Sequence, residues 1–228
     1  MSKQNFNIAI DGPAGAGKST IARLVAARLG FIYVDTGAMY RAIALYCLRQ
    51  GVEPSDEAAV TAAVPSAHIT IGHQDGVQQV MLNGENVSGL IRTEQVGNTA
   101  SAVSAYPAVR AHLLQLQRDL AASTCVIMDG RDIGTCVLPD ADAKIFLTAG
   151  SAVRAMRRYK ELTEKGVVCN LQEIEQDIIE RDQRDMNRAA APLRRAEDAV
   201  LVDSSDLTID QAVEAIISAA RSHGLETE

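Results

Sequence analysis

Tryptophan is absent, and aromatic residues of all kinds make up only 4% of the chain. Stacking platforms for single-stranded nucleic acid are built from such rings, so the shortage argues against that class of partner. Positive charge is short as well. The 22 Lys and Arg face 29 Asp and Glu, a formal net charge of −7. A nucleic-acid binder carries a basic surplus, and this chain carries the reverse. Lysine is the scarcer cation, with five against 17 arginines. Arginine richness has a bland explanation in genome composition. It also has a chemical one, because the planar guanidinium fork matches phosphate.

Cysteine is sparse too: Cys47, Cys125, Cys136 and Cys169. None forms a CxxC pair, and no His/Cys cluster has zinc spacing. Reduced, mostly buried thiols of a cytoplasmic protein are expected. No apolar run approaches the roughly 20 residues of a membrane span. The N-terminus runs into a strand and a glycine loop, with no signal-peptide pattern. No heptad pattern or broad apolar face stands out, so a monomer is expected. There is no internal repeat and no low-complexity tract.

What is present suits one α/β core with small insertions. The chain has 228 residues, 47% of them apolar, enough to bury a sizeable core. Asn7–Ile10 reads as a buried strand, Lys18–Leu29 as a helix stopped by Gly30, Phe31–Val34 as a strand and Thr36–Gln50 as a helix. This βαβα start predicts a parallel sheet. Around residues 65–90, Asp75-Gly76 and Asn83-Gly84 punctuate strand-like runs and predict a small antiparallel insertion. Thr93–Ala122 reads as helix, broken or bent near Pro107. Cys125–Met128, Lys144–Thr148 and Ala199–Val202 read as further core strands. Ser151–Glu164, Leu171–Arg188 and Ile209–Ser222 read as helices.

Residues 12–19, Gly-Pro-Ala-Gly-Ala-Gly-Lys-Ser, fit G-x-x-x-x-G-K-[ST] between a strand and a helix. The loop's N–H groups and the helix N-terminus suit phosphate oxygens. Lys18 would reach the β/γ-phosphates, and the Ser19 hydroxyl would sit on Mg²⁺. An ordinary glycine turn is the bland alternative, and the strand–loop–helix context argues against it. The motif implies nucleoside triphosphate binding without naming a reaction.

The D-x-x-G and N-K-x-D strings of a P-loop GTPase are absent. A small-molecule kinase fits better, and it needs guanidinium groups converging on two polyanionic substrates. Four segments suit that task. Asp35-Thr36-Gly37-Ala38-Met39-Tyr40-Arg41 follows the second strand, with Thr36 a helix cap in the bland reading. Asp129-Gly130-Arg131-Asp132-Ile133-Gly134-Thr135 ends an apolar strand in a carboxylate placed for Mg²⁺. In Glu180–Arg188, Arg181, Arg184 or Asp185, and Arg188 share one helix face. An ion-paired solvated face is the alternative there. Arg154, Arg157 and Arg158 lie on the preceding helix and are candidates to join a phosphate-clamping lid. The fourth segment is the helix around Ser101 and Arg110.

Assembled, the strings IDGPAGAGKST, DTGAMYRA, SGLIRTEQV, DGRDIGT and ERDQRDMNR resemble the bacterial cytidylate kinases, from the first strand to the last helix. The resemblance implies a P-loop NTPase fold: a five-stranded parallel sheet flanked by helices, a small antiparallel β insertion and a helical lid. It implies one kinase unit over 1–228, with core segments 1–62, 91–150 and 189–228. The monophosphate-binding insertion would span about 63–90 and the lid about 151–188. The implied reaction moves a phosphoryl group from ATP, with Mg²⁺, to CMP or dCMP. The loop Gly12, Pro13, Ala14, Gly15, Ala16, Gly17, Lys18, Ser19 and Thr20, with Arg157 and Arg158, would hold ATP. Arg41, Arg131 and Arg181 would clamp the CMP phosphate. Ser101, Arg110 and Asp132 would read cytosine, with Arg188 near the base, Asp185 on the sugar, and Thr36 and Tyr40 beside the acceptor. Lys18, Arg131 and Arg181 would be catalytic. The chain departs from the family at Ser19 and Thr36, where other members carry Gly and Ser. A kinase for UMP, AMP or a small metabolite, and a non-catalytic nucleotide-binding module, are the competing readings.

Overall fold

The computed structural model describes residues 5–74 and 76–226. The chain opens with strand β1 (Asn7–Asp11), all five residues buried, as a strand covered on both faces must be. Helix α1 (Lys18–Leu29) follows the glycine loop and ends where Gly30 turns left-handed at φ 68°, a conformation that favours glycine. Strand β2 (Ile32–Asp35) and helix α2 (Thr36–Arg49) come next. Helix α3 (Glu57–Ala63), capped by Asp56, was not anticipated from the sequence.

The insertion is antiparallel: β3 (Ile69–Gln74), β4 (Val77–Leu82) and β5 (Glu85–Asn86) in that order. Of the two expected turns, Asn83-Gly84 has φ 50° and 83°, the double positive of a type I′ hairpin. Asp75 of the other lies outside the described residues. Helices α4 (Glu94–Val103) and α5 (Pro107–Ser123) are separate, with Pro107 at the first position of the second. Proline is favoured there because that N–H has no partner inside the helix.

Strand β6 (Val126–Gly130) leads into a π-helical turn (Ile133–Val137). Then come β7 (Ala143–Thr148), α6 (Ser151–Glu164), α7 (Leu171–Asn187), β8 (Val200–Asp203) and α8 (Ile209–Ser222). Thr208 and Gln211 form a reciprocal capping box at the start of α8. The five-stranded sheet has the order β2-β6-β1-β7-β8.

The chain divides into two compact units, residues 32–124 and the remainder. In the larger unit β1 pairs in parallel with β6 and β7, and β7 with β8. Ile8, Ile10, Ile127, Met128, Ile145 and Leu147 from these strands are almost wholly buried, as are Val25 of α1 and Ile216 of α8. Parallel strands bring their carboxyl ends to one edge. Ile10 stands opposite Asp129 and Asp11 opposite Gly130, so the glycine loop and the loop after β6 leave the sheet side by side.

In the smaller unit the insertion is fastened to β2. The Gln78 side chain accepts from Asp35 N at 2.8 Å and donates to Asp35 O at 3.1 Å. A His73 ring nitrogen lies 3.1 Å from Tyr33 O. These side chains occupy backbone groups of β2 that a strand edge would otherwise offer for pairing.

All four cysteines are free thiols. Only Cys47 is buried, and the other three are half-buried, so the expectation of mostly buried thiols is corrected. No helix among the described residues is long and apolar enough to cross a membrane.

Candidate active site

The glycine loop is built around close backbone approach. Gly12 has φ +151°, and a Cβ there would fall 1.9 Å from Leu147 O on β7, so no other residue fits. Gly15 and Gly17 also take positive φ, 75° and 86°. Inside the loop, Lys18 Nζ donates to Gly12 O and Pro13 O, both at 2.7 Å. Burial pushes the Lys18 pKa down to about 7, and the Arg131 cation adds to the effect against the attraction of Asp129 and Asp11.

Ser19, the second residue of α1, donates from Oγ to Asp129 Oδ2 at 2.9 Å. This sets a hydroxyl oxygen and a buried carboxylate side by side at the end of β6. Pro13 and Ala16 are buried, Ala14 half-buried, and Gly15 and Thr20 exposed.

Asp11 was not singled out from the sequence. Its Oδ1 accepts from Ile133 N at 2.7 Å and its Oδ2 from Gly134 N at 2.8 Å. Both carboxylate oxygens therefore hold the start of the π-helical turn. Burial raises the Asp11 pKa to about 6, against the lowering effect of those two N–H donors. This anchor fixes the loop that carries Arg131 and Asp132.

Two ion pairs join that loop to α7 and its C-terminal cap. Arg131 Nε meets Asp185 Oδ2 at 2.9 Å, and Arg188 Nη2 meets Asp132 Oδ1 at 3.2 Å. Asp132 and Asp185 are buried. Arg188 Nε also donates to Ala191 O at 2.7 Å. Asp182 and Asp185, one turn apart, form the buried face of α7, while Arg181 is half-buried and Arg184 exposed. Of the two candidates left open at that step of the helix, Asp185 faces inward.

The arginines of α6 divide three ways. Arg154 is buried, with its nitrogens on Ala149 O, Ala14 O and the Asp182 carboxylate of α7. Arg157 donates to Ser204 O at 2.6 Å, beyond the end of β8. Arg158 is exposed and pairs with Glu161.

The smaller unit gathers a second set. Asp35, not Thr36, caps α2: its Oδ1 accepts from Ala38 N at 3.0 Å. Thr36 is instead the first helical residue and is buried. Its β-branched side chain is displaced from the cap because a carboxylate one position earlier already fills that role. Arg92 pairs with Asp35 Oδ2 at 3.0 Å. Arg110 lies over the Tyr40 ring, 5.4 Å from its centroid, and donates to Ser104 O. Ser101 sits one turn before Ser104 and is half-buried. Arg41 donates to Ile91 O at 3.2 Å. The Arg41 guanidinium lies against Gly97, where a Cβ would come within 3.0 Å of Nη1.

Hard dications such as Mg²⁺ take oxygen donors, often one or two protein groups completed by phosphates and water. Ser19 Oγ and the Asp129 carboxylate have that chemistry. No group of three or more His, Cys, Asp or Glu among the described residues forms an all-protein metal cage.

Comparison with known proteins bears on this site. A family model described as cytidylate kinase matches residues 8–222. The cytidylate kinase of Alkaliphilus metalliredigens is 50% identical over 210 residues, covering 92% of this chain and 94% of its own. That of Methylococcus capsulatus is 47% identical over 216 residues, covering 95% and 97%. Among solved structures, an uncharacterized protein from Eubacterium ventriosum aligns over 96% of this chain and 99% of its own. Its TM-score is 0.52 at 11% identity, a likeness of fold alone.

Proposed function

The chain belongs to the cytidylate kinase family, and from that premise we propose that it transfers the γ-phosphoryl group of ATP to CMP or dCMP, giving ADP and CDP or dCDP. The observation that carries the reading is one cluster in the larger unit. There a phosphate loop with a buried lysine and a Ser19–Asp129 pair adjoins the Arg131–Asp132 loop, which Asp11 anchors.

The acceptor phosphate is already an oxyanion, so attack is direct and needs no strong base and no covalent enzyme intermediate. Positioning and charge neutralisation do the catalysis. The loop Gly12–Thr20 surrounds the ATP phosphates, and Lys18 exchanges its two carbonyl partners for phosphate oxygens. Ser19 and Asp129 would hold Mg²⁺, which would supply neutralisation of phosphate charge. Arg157 and Arg158 serve the donor nucleotide.

Arg41, Arg131 and Arg181 hold the acceptor phosphate. Asp132 accepts from the cytosine amino group, and Ser101 and Arg110 donate to the ring acceptors. Arg188 orients Asp132 through their ion pair, Asp185 takes the sugar hydroxyl, and Thr36 and Tyr40 line the acceptor side. Uracil would set a carbonyl against Asp132, an unpaired contact that costs about 1–3 kcal/mol. Residues 151–188 act as the lid that excludes water, and residues 63–90 belong to the monophosphate-binding region. The enzyme works as a cytoplasmic monomer.

ADP release from Mg-ATP, followed in parallel with CMP, dCMP, UMP and AMP, tests the reading. CMP and dCMP should turn over fastest. A preference for UMP or AMP would overturn the base-reading roles of Ser101, Arg110 and Asp132.

Gly97 gives a sharper check on Arg41. Glycine to alanine inside a helix ordinarily stabilises by up to about 1 kcal/mol. Here the new methyl would push the Arg41 guanidinium aside. Gly97→Ala should raise the KM for CMP several-fold while leaving the KM for ATP unchanged, with no loss of melting temperature. An unchanged KM for CMP would remove Arg41 from the acceptor site.

A further inference from the structure

Arg154 stands in the first turn of α6 and is 5% exposed. Each of its three guanidinium nitrogens has a protein partner. Nε donates to Ala149 O at 2.8 Å, Nη1 to Ala14 O at 2.9 Å, and Nη2 pairs with Asp182 Oδ2 at 2.7 Å. The stem lies beside the phosphate loop as well, since a Cβ on Gly15 would fall 3.4 Å from Arg154 Cβ.

The partners are telling. Ala14 is in the middle of the phosphate loop. Peptide planarity puts the Ala14 carbonyl and the Gly15 N–H on opposite sides of one rigid unit. Pulling that carbonyl toward Arg154 aims the N–H the other way. Asp182 is on α7, next to Arg181. Its second oxygen, Oδ1, is buried and has no hydrogen-bond partner among the described residues. Arg154 is therefore the group that holds this carboxylate.

Stability does not explain the choice of residues. A buried ion pair is costly to desolvate, and a well-packed apolar pair in its place is often no less stable. A phosphate-binding arginine would keep its fork free for ligand, and this one does not. What the arrangement supplies is register between the phosphate loop and α7, through an arginine 140 residues from Ala14.

We infer that Arg154 is a positioning residue for phosphoryl transfer: through Ala14 and Asp182 it locks the Arg181-bearing turn of α7 in register with the phosphate loop. The inference rests on the kinase reading above. Misplacement of reacting groups by about 1 Å can lower a rate on the order of 10²-fold, and the kinetics should show a loss of that order.

The test uses Arg154→Met, Asp182→Leu, the double variant Arg154→Met/Asp182→Leu, and Arg154→Lys. Each single apolar variant strands one charge and should melt lower. The double variant should regain the wild-type melting temperature while kcat stays on the order of 10²-fold down, with the KM for CMP little changed. Arg154→Lys puts all its donors on one nitrogen and cannot span acceptors set around a planar guanidinium, so it should fold and remain slow. Recovery of both melting temperature and kcat in the double variant, or wild-type kcat in Arg154→Lys, would overturn the inference and leave Arg154 a purely structural residue. Wild-type protein that forms no ADP in response to CMP would instead overturn the kinase reading, and the inference with it.

Discussion

Lys18→Met should lose nearly all turnover and yet melt no lower than the wild type at neutral pH. The activity loss should be on the order of 10²–10³-fold, the usual effect of removing one preorganised donor to developing charge. The stability half of the expectation comes from burial. Lys18 is 6% exposed, and its pKa is pushed from the ordinary 10.5 down to about 7. Between those values the folded state favours the neutral amine while the unfolded chain keeps the proton. The resulting penalty on folding is absent above about pH 10.5, grows as the pH falls toward 7, and is complete below it. Methionine removes that penalty at the cost of two hydrogen bonds to Gly12 O and Pro13 O. Thermal melts at pH 6 and pH 9 check the sign. The advantage of Lys18→Met over the wild type should be larger at pH 6. An advantage that grows with pH would contradict the burial argument.

Arg131→Ala should cost at least as much activity. Guanidinium groups that meet transferring phosphoryl charge contribute about 10³–10⁵ in rate where they have been removed. Arg131 is tied to Asp185, which is 6% exposed. Removing one partner of a buried pair leaves an uncompensated charge and destabilises by about 3–5 kcal/mol. The two effects can be separated by adding free guanidinium at non-denaturing concentration. It should restore part of kcat in Arg131→Ala and none in Lys18→Met. Stability recovered without any gain in kcat would assign Arg131 to structure alone.

Local signals made much of the fold legible. The bounds of α1, α6 and α8 coincide with those read from the sequence. Gly30 and the Thr208–Gln211 capping box mark two of those bounds with unambiguous chemistry. The phosphate loop was legible for the same reason, because its motif is contiguous. Helix α3 escaped because seven residues are too few for a helical period to stand out. The π-helical turn escaped because its anchor, Asp11, lies 122 residues upstream of Ile133.

The site was legible in residue identity and not in pairing. Arg131 with Asp185, and Arg188 with Asp132, are separated by 54 and 56 residues, and no local pattern links them. Three arginines within five positions of α6 look alike as sequence. Burial alone sorts Arg154 from Arg157 and Arg158. Asp35 displaces Thr36 as a cap because a shift of one residue decides which side chain faces the first free N–H groups.

Phosphate should pass from ATP to CMP and not to water. Incubation with γ-phosphate-labelled ATP, Mg²⁺ and CMP, followed by chromatographic separation of the products, tests it most directly. The label should appear in CDP in step with ADP formation, with little in free phosphate. Label accumulating in free phosphate, with CMP unchanged, would contradict the account.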